Sequence, residues 1–309
     1  MLGSCSDSKV MGPAKPAPNY FSAYAEPAWH PGGRTIAFNC TPLVRRYRNS
    51  ITGRYVYVFA ESLSGIWVVN LDGSHQNRLL PYHLWTPDWD STGNSLAYEL
   101  GGSIWTIAGS DSELIEVTAT QITTTQSSFS PTWRRDGNAL AFSVNGGPAS
   151  GVYVVPRTGG APRLVGGPGW FSPDWSPNGD SLVFITAVGS NWGVFVADST
   201  GQGLHMLWGS PEAAVGYPRW SPDGSQIAFT GRFRNADPYQ LWVMNSDGSS
   251  AHAVIPDRVL SSFCWSPDGG EIAYVRFDQS DTSLANGTIW IVNVATGSKR
   301  QLTFNTPSN

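Results

Sequence analysis

The chain has 309 residues, enough for two average domains or one large repeat array, and a formal net charge of −4. Charged residues make up 14% of it, below the roughly 25% of an average soluble protein. The mild acidic balance argues against nucleic acid as the main partner, and no apolar run of about 18 residues predicts a membrane span.

The first residues resemble the end of a bacterial lipoprotein signal. Small residues precede Cys5, the residue that such proteins acylate, and residues 6–19 look like the flexible tether that follows a lipidated cysteine. The basic and apolar stretches of a complete signal are missing, so a start set too far downstream, a trimmed signal and a chance match remain alternatives. Residues 1–24 are predicted to be a flexible N-terminal tail and lipoprotein tether, with Cys5 as the lipidation candidate.

One phrase, Pro-x-Trp followed by Ser-Pro-Asp-Gly, recurs along the rest of the chain. Its clearest copies are residues 173–179 and 218–224, and the other copies keep the tryptophan and part of the turn. A period of about 40–45 residues in strand-rich units is typical of β-propeller blades. The repeated tryptophans are Trp29, Trp89, Trp133, Trp175, Trp220 and Trp265.

Residues 217–255 show how one repeat forms one blade. Residues 217–220 predict a first strand, and Ser-Pro-Asp-Gly predicts a turn, because Pro presets φ and Gly accepts a positive φ. The same parsing holds in every repeat. Residues 25–303 are therefore predicted to be an all-β, six-bladed β-propeller of four-stranded antiparallel blades, followed by a C-terminal tail at 304–309. The further strands of this blade are predicted at residues 226–230, 240–245 and 252–255.

This pattern resembles the TolB-type propeller repeat. The match rests on the Trp-Ser-Pro-Asp-Gly turn and Ile-Ala-Phe strand in residues 220–229, and on the Trp-Val-Met-Asn-Ser-Asp-Gly segment in residues 240–249. The resemblance covers nearly the whole chain and implies six blades. In the periplasmic TolB protein a smaller α/β domain precedes the propeller, and we expect no counterpart here. Similar propellers also precede α/β-hydrolase domains, whose Gly-x-Ser-x-Gly motif does not occur in this sequence.

The longer connections are predicted to lie on one face of the propeller. They join the second strand to the third in each blade, or one blade to the next. Long loops cost little stability and commonly carry function, so this face is predicted to hold the binding site. Its aromatic residues form either a binding rim or plugs on the tops of the blades. They are Tyr82, Trp85, Phe129, Trp170, Phe171, Trp208 and Tyr217.

An insertion in the first blade adds a basic patch to the same face. Arg45, Arg46 and Arg48 lie beside several tyrosines in residues 41–64. The patch fits an acidic partner or an anionic glycan, and it fits a solvated hairpin equally well. His83, the only histidine on this face, completes the candidate binding residues there.

The residue between Pro and Trp in each repeat is predicted to lie near the propeller axis. We expect Asp88, Asp174 and Arg219 to contribute to a channel site, with an Asp174–Arg219 ion pair and Asp88 open to a ligand or cation. The alternative is that these groups satisfy backbone amides at the inner edge of the blades. The residues at this position are Ala28, Asp88, Thr132, Asp174, Arg219 and Cys264.

No metal site and no cofactor are predicted. The histidines are spread around the rim, too far apart to share a metal ion, and the calcium-like run at residues 88–93 lacks a closing Glu. The odd cysteine count gives no disulfide framework. Cys40 and Cys264 are predicted to be separate buried thiols, with a bridge between neighbouring blades as the alternative.

Together these features predict a non-catalytic extracytoplasmic binding scaffold that holds a protein or peptide partner on the long-loop face and at the channel mouth. The alternative is a carbohydrate-binding or carbohydrate-active propeller of the lyase or hydrolase type, and the question of catalysis stays open. We expect a monomer in the bacterial periplasm or cell envelope. Its only expected membrane contact is a lipid anchor at Cys5.

Overall fold

The computed structural model describes most of residues 26–303. Strands form nearly all of the regular structure, and the short 3-10 turns that are described span Glu61–Leu63 and Gly147–Ala149. In this part of the chain, no helix has the length and hydrophobicity needed to cross a lipid bilayer. The gaps in the description are residues 42, 49, 53–54, 60, 75–76, 115–117, 125–126, 235–236, 260–262 and 277–286.

The strands form six four-stranded antiparallel sheets, which confirms the predicted six-bladed β-propeller. A two-stranded hairpin is inserted in blade 1. Blade 1 and its hairpin contain β1 (Ala28–Trp29), β2 (Thr35–Cys40), the hairpin strands β3 (Leu43–Arg48) and β4 (Tyr55–Phe59), β5 (Gly65–Asn70) and β6 (Asn77–Leu80). Blade 2 contains β7 (Trp85–Trp89), β8 (Ser95–Leu100), β9 (Ser103–Ala108) and β10 (Thr120–Gln121).

The remaining blades follow the same order along the chain. Blade 3 contains β11 (Ser128–Trp133), β12 (Ala139–Val144), β13 (Gly151–Pro156) and β14 (Arg163–Gly166). Blade 4 contains β15 (Phe171–Trp175), β16 (Ser181–Val188), β17 (Asn191–Asp198) and β18 (His205–Ser210). Blade 5 contains β19 (Ala214–Trp220), β20 (Gln226–Arg232), β21 (Gln240–Asn245) and β22 (His252–Ala253). Blade 6 contains β23 (Phe263–Trp265), β24 (Glu271–Arg276), β25 (Thr288–Asn293) and β26 (Lys299–Gln301).

The first strands of the blades surround the axis and close a ring. Strands β1, β7, β11, β15, β19 and β23 contact one another in that order, and β23 contacts β1. Trp29 and Phe38 of blade 1 share a buried hydrophobic cluster with Ile291 of blade 6. Arg300 Nη1 donates a hydrogen bond to Leu71 O across the same seam at 2.8 Å. Among the described strands, none is shared between the first and last blades, so side-chain packing closes the ring.

The repeated tryptophan of each first strand fills the space between two blades. Trp89 belongs to a buried cluster that contains Leu80 of blade 1 and Tyr98 of blade 2. An aromatic side chain buries about 150–250 Å², which corresponds to roughly 5 kcal/mol of gross apolar transfer free energy. This contribution explains why the same residue recurs between blades.

Local hydrogen bonds fix the turn that follows each tryptophan. In blade 5 the Gly224 amide donates to Ser221 O at 2.9 Å, and the glycine has a φ of 75°. Ser221 Oγ donates to Asp223 Oδ1 at 2.6 Å, and this bond and the Ser225 amide lower the pKa of the Asp223 carboxyl. The Ser, Asp and Gly of the phrase therefore have a structural role.

No disulfide joins Cys40 to Cys264. Both side chains lie at the seam between blades 6 and 1, and burial raises the pKa of both thiols, to about 12 for Cys264. The two thiols are therefore separate, as predicted; Cys40 is buried and Cys264 is partly buried. Cys5 and the two predicted tails, 1–24 and 304–309, lie outside the described residues.

Candidate functional site

The two faces of the propeller differ in their connections. The short-turn face holds the connections from the first to the second strand and from the third to the fourth strand of each blade; contrary to expectation, one of them, residues 109–119 in blade 2, is long. The long-loop face holds the connections between the second and third strands and between successive blades. The aromatic residues predicted to form a rim therefore belong to the long-loop face.

Several of these aromatic residues pack into the tops of the blades. Trp208 is only 7% exposed, and Trp170 stacks on Phe184 with ring centroids 3.9 Å apart. Tyr82 and Tyr217 are partly buried against the hydrophobic clusters of their blades. These side chains stabilise the blades, which is the alternative that the sequence left open.

Trp85, Phe129 and Phe171 complete the predicted rim. Trp85 is 36% exposed. Phe129 and Phe171 are partly buried and stack on each other across adjacent first strands, with centroids 6.2 Å apart. Of the seven aromatic residues predicted to form the rim, only Trp85 is therefore exposed.

The remaining candidates on this face have different environments. His83 Nε2 lies 3.2 Å from both Cys40 O and Thr41 Oγ1, so the imidazole is tied to blade 1. The backbone of Arg45, Arg46 and Arg48 forms part of β3, but their side chains are outside the description. The basic patch therefore stays a prediction.

Some exposed apolar residues on the long-loop face were not identified from the sequence. Trp192, near the tip of the β16–β17 hairpin, is 40% exposed. Phe233, just after β20, is 41% exposed, and its ring centroid lies 4.5 Å from that of Trp208. The available signal was the pair of apolar residues Val188 and Trp192 on either side of the turn at residues 189–190, because they extend the β16–β17 strand pair.

A bulge in the first strands places the residues that surround the axis. The residue before the repeated proline has a φ of 47–53° at Thr86, Ser130, Ser172 and Tyr217, and the strand register shifts there. Non-glycine residues adopt this conformation at some energetic cost. Regular strand pairing resumes two residues later, and the side chains at this position reach the first strand of a neighbouring blade. These residues are Asp88, Thr132, Asp174 and Arg219.

A pair of cavities lies along the axis. The cavity toward the long-loop face has a volume of about 170 Å³, and its walls include Glu26 and Arg219. The cavity that opens on the short-turn face, here called the short-turn cavity, has a volume of about 430 Å³. All six repeated tryptophans and several turn prolines line it. Asp88 and Asp174 line both cavities and mark the waist between them.

Each waist carboxylate caps a backbone amide of the next blade. The Trp133 amide donates to Asp88 Oδ2 at 2.7 Å, and the Trp220 amide donates to Asp174 Oδ2 at 2.8 Å. Thr132 lies between them and donates its hydroxyl proton to Asp174 Oδ1 at 2.8 Å. The carboxylates therefore have the capping role that was the alternative to a ligand site, and they also remain on the cavity walls.

Arg219 directs its guanidinium to backbone carbonyls. Its Nη1 donates to Pro173 O at 3.2 Å and to Pro218 O at 3.1 Å. The expected Asp174–Arg219 ion pair is not among the salt bridges of the described residues. Burial raises the pKa of Asp174, and Arg219 opposes that shift at longer range.

Burial dominates the electrostatics of the channel. It raises the pKa of Asp88 from 3.8 to about 7. The hydrogen bond from the Trp133 amide lowers this pKa, and the nearby carboxylate of Asp174 raises it further. It also raises the pKa of Glu26 from 4.5 to about 7, although the Thr86 amide donates to Glu26 Oε2 at 2.5 Å. Near neutral pH these groups exist as protonated and charged forms, and a bound cation would favour the charged form.

Arg135 crosses the mouth of the short-turn cavity, and the sequence analysis missed it. Its Nη1 donates to Pro222 O at 2.7 Å, which links blade 3 to blade 5 past the intervening blade 4. The available signal was its departure from the repeated phrase. The other repeats have proline or serine at this position: Pro31, Ser91, Pro177, Pro222 and Pro267.

The channel suits binding through charge, hydrogen bonding and apolar contact. Among the described residues, no three His, Cys, Asp or Glu side chains converge as a metal site. The described histidines are also absent from the walls of both cavities. Tryptophans and prolines on the walls of the short-turn cavity and the partly buried carboxylates at its base give this recess a mixed apolar and polar lining.

The fold is similar to several solved structures. TolB from Acinetobacter baumannii is 16% identical, with a TM-score of 0.67 over 86% of this chain and 62% of that chain, so this chain spans less than two thirds of that protein. A putative TolB from Agrobacterium tumefaciens is 21% identical, with a TM-score of 0.57 over 76% of this chain and 83% of that one. An oligogalacturonate lyase in complex with manganese is 10% identical, with a TM-score of 0.58 over 93% and 78%.

These similarities show a TolB-like six-bladed propeller fold. No protein-family model matches the sequence, and no curated protein is significantly similar to it. Because one propeller fold serves many functions, the function has to be argued from the channel itself.

Proposed function

We propose that this TolB-like six-bladed β-propeller works as a non-catalytic extracytoplasmic scaffold that binds a protein or peptide partner at the axial channel and its mouths. The short-turn cavity carries the proposal. It has about 430 Å³, and its aromatic walls lead to the partly buried side chains of Asp88 and Asp174. On the long-loop face, Trp85 offers exposed aromatic surface beside the opposite mouth.

The physical support is a preformed recess on a rigid frame. Concave apolar sites with a few convergent polar groups are typical of binding pockets. The turns around the short-turn cavity are held by bonds such as Ser221 Oγ to Asp223 Oδ1, so binding requires little ordering of the protein. The resemblance to TolB supports the same class of function, a propeller that holds a partner.

A display selection tests the proposal. Random peptides are selected on the full chain, and the enriched peptides are titrated by calorimetry against the wild type, Ser91→Trp and Thr92→Trp. Ser91 lines the short-turn cavity, whereas the neighbouring exposed Thr92 does not, so the two variants are matched. We expect Ser91→Trp to weaken binding by about tenfold or more and Thr92→Trp to leave it within about twofold. No enrichment, or equal binding to both variants, would overturn the proposal.

The extracytoplasmic location is proposed from the TolB resemblance and from Cys5. Lipidation at Cys5 would add a membrane contact without a spanning segment. Mass spectrometry of the N-terminal peptide from cells that express the gene with its upstream sequence is expected to show an acylated Cys5. Fractionation of Cys5→Ser into the soluble envelope fraction would support the same anchor, and an unmodified Cys5 would contradict it.

Carbohydrate binding is the second candidate. The fold similarity to an oligogalacturonate lyase favours it, and Arg135 at the cavity mouth offers a donor for an acidic sugar. A glycan array that includes oligogalacturonates tests this candidate. Binding that is lost in Arg135→Gln would support it, and an array without hits would remove it.

A further inference from the structure

The short-turn cavity contains two acidic side chains that form no salt bridge with any arginine among the described residues. Asp88 and Asp174 are its acidic lining residues, and Arg135 is its basic one. Arg135 Nη1 is bonded to Pro222 O at the mouth. Arg219, in the neighbouring cavity, is bonded to backbone carbonyls. The floor of the cavity therefore carries acceptors for a cation that comes from outside.

The hydrogen bonds at the waist leave one carboxylate oxygen in need of a donor. Asp174 accepts bonds at both oxygens, from the Thr132 hydroxyl and the Trp220 amide. Asp88 accepts the Trp133 amide at Oδ2. The Thr132 hydroxyl lies close to both carboxylates, but its single proton can serve only one of them at a time; when it bonds Asp174, Asp88 Oδ1 has capacity for a further donor. Asp88 lines the cavity, so this oxygen is available to a ligand donor.

The walls of the cavity suit an alkyl stem that carries a charge at its end. Lysine and arginine side chains bury their methylene groups on apolar surface while the charged group keeps polar contacts. Tryptophans line this cavity on all sides, with prolines at its mouth, and the carboxylates lie deeper at the waist.

We propose that the short-turn cavity binds a lysine or arginine side chain of the partner, with its cationic group at Asp88 Oδ1 and beside Asp174. The aliphatic stem lies along the tryptophan walls. Arg135 moves away from Pro222 O when the side chain enters. This inference names the chemistry of the ligand and rests on the proposed binding function.

Capped tripeptides test the charge requirement directly. Acetyl-Ala-Lys-Ala-amide is compared with its norleucine and glutamate counterparts on the full chain, in buffer that contains EDTA. Binding is followed by the tryptophan indole N–H signals in NMR spectra. We expect the lysine peptide to bind about tenfold more tightly than the norleucine peptide, as hydrogen bonds to charged groups imply. The glutamate peptide is expected to bind most weakly.

Isosteric Asp→Asn substitutions then locate the site. Asp88→Asn keeps an acceptor for the Trp133 amide and removes the charge, so we expect it to abolish the preference for lysine. Asp223→Asn removes an exposed carboxylate on the same face, outside the cavity, and is expected to change the lysine affinity by less than about twofold. Asp174→Asn is expected to reduce the preference as well. It provides a second test if Asp88→Asn fails to fold.

Equal affinity for lysine and norleucine peptides would overturn the inference, as would a lysine preference that survives both Asp88→Asn and Asp174→Asn. Tighter binding of the glutamate peptide would overturn it and assign the cavity to an anionic ligand. Selected peptides that are blocked by Ser91→Trp but bind regardless of charge would leave the proposed function intact and reject only this inference.

Discussion

The channel is wider behind the short turns than behind the long loops. The short-turn cavity has about 430 Å³, against about 170 Å³ for the cavity toward the long-loop face. Glu26 and Arg219 line the narrower cavity, where the bulged strands bring polar groups close together. Pro177 and Pro222 line the wider one.

This difference shows that loop length is a poor measure of where a propeller opens. On the long-loop face, much of the aromatic surface is used to cover the blades, as at Trp208 and Trp170. On the short-turn face, the repeated phrase itself builds the cavity. One departure from the phrase, Arg135, changes the chemistry of the mouth.

The largest expected effect separates packed from exposed aromatic residues on the long-loop face. Trp208→Ala removes a buried ring that contacts Phe229 and Phe233, so we expect a loss of about 3–5 kcal/mol in the free energy of unfolding. Trp85→Ala, at a 36% exposed position, should cost less than about 1 kcal/mol. Urea unfolding measures both, and similar losses would show that the two residues have equivalent roles.

The contrast between these two residues also shows what the sequence could predict. The blades were predictable because turn chemistry and strand pattern are local and recur in each repeat. Burial of Trp208 depends on Phe229 and Phe233 of the next blade, more than 20 residues away, so pattern alone left it undecided.

In the channel, too, the positions of residues were predictable from the repeat, whereas their contacts with other blades were not. Repeat register placed Asp88, Asp174 and Arg219 near the axis, and the structure puts all three on cavity walls. Their partners were not predictable, because the Trp133 amide and the Pro173 carbonyl belong to neighbouring blades. The long loops also drew attention away from Arg135, whose position becomes meaningful only when the ring closes.

The second-largest expected effect is a difference in the pH dependence of stability between the carboxyl groups of the channel and those of the short turns. The pKa of Asp88 is about 7 in the folded chain against 3.8 as its ordinary value, so the folded state binds more protons between about pH 4 and 7. The contribution of Asp88 to the free energy of unfolding is therefore fully present below about pH 4 and is lost as the pH rises to about 7. Asp88→Asn should flatten this decline in urea midpoints, and Glu26→Gln should add to the flattening.

Asp223→Asn is the control with the opposite sign. Hydrogen bonds from Ser221 and Ser225 lower the pKa of Asp223, so its contribution to stability is present above its ordinary pKa and lost in more acidic solution. The variant should therefore differ from the wild type in pH slope only below about pH 4. A wild-type stability that does not fall between about pH 4 and 7 would contradict the buried, proton-binding waist.

A smaller effect concerns the charge at the short-turn mouth. Arg135→Gln removes a positive charge from the entry path, so we expect the lysine peptide to bind about two- to fivefold more tightly, the range for one partly solvated charge. Arg163→Gln is the matched control, because Arg163 Nη2 also donates to a carbonyl, Ser199 O, at 2.8 Å and lies outside both cavities. Weaker binding by Arg135→Gln would mean that Arg135 holds an acidic group of the ligand.

The smallest expected effect tests whether the long-loop face contributes to lysine binding at all. Trp192 is 40% exposed near the tip of the β16–β17 hairpin and lines neither cavity. Trp192→Ala should change the free energy of unfolding by less than about 1 kcal/mol and the lysine-peptide affinity by less than about twofold. Calorimetry and urea unfolding check both values. A loss as large as that of Asp88→Asn would place the peptide at the long-loop mouth and reverse the contrast between the two faces.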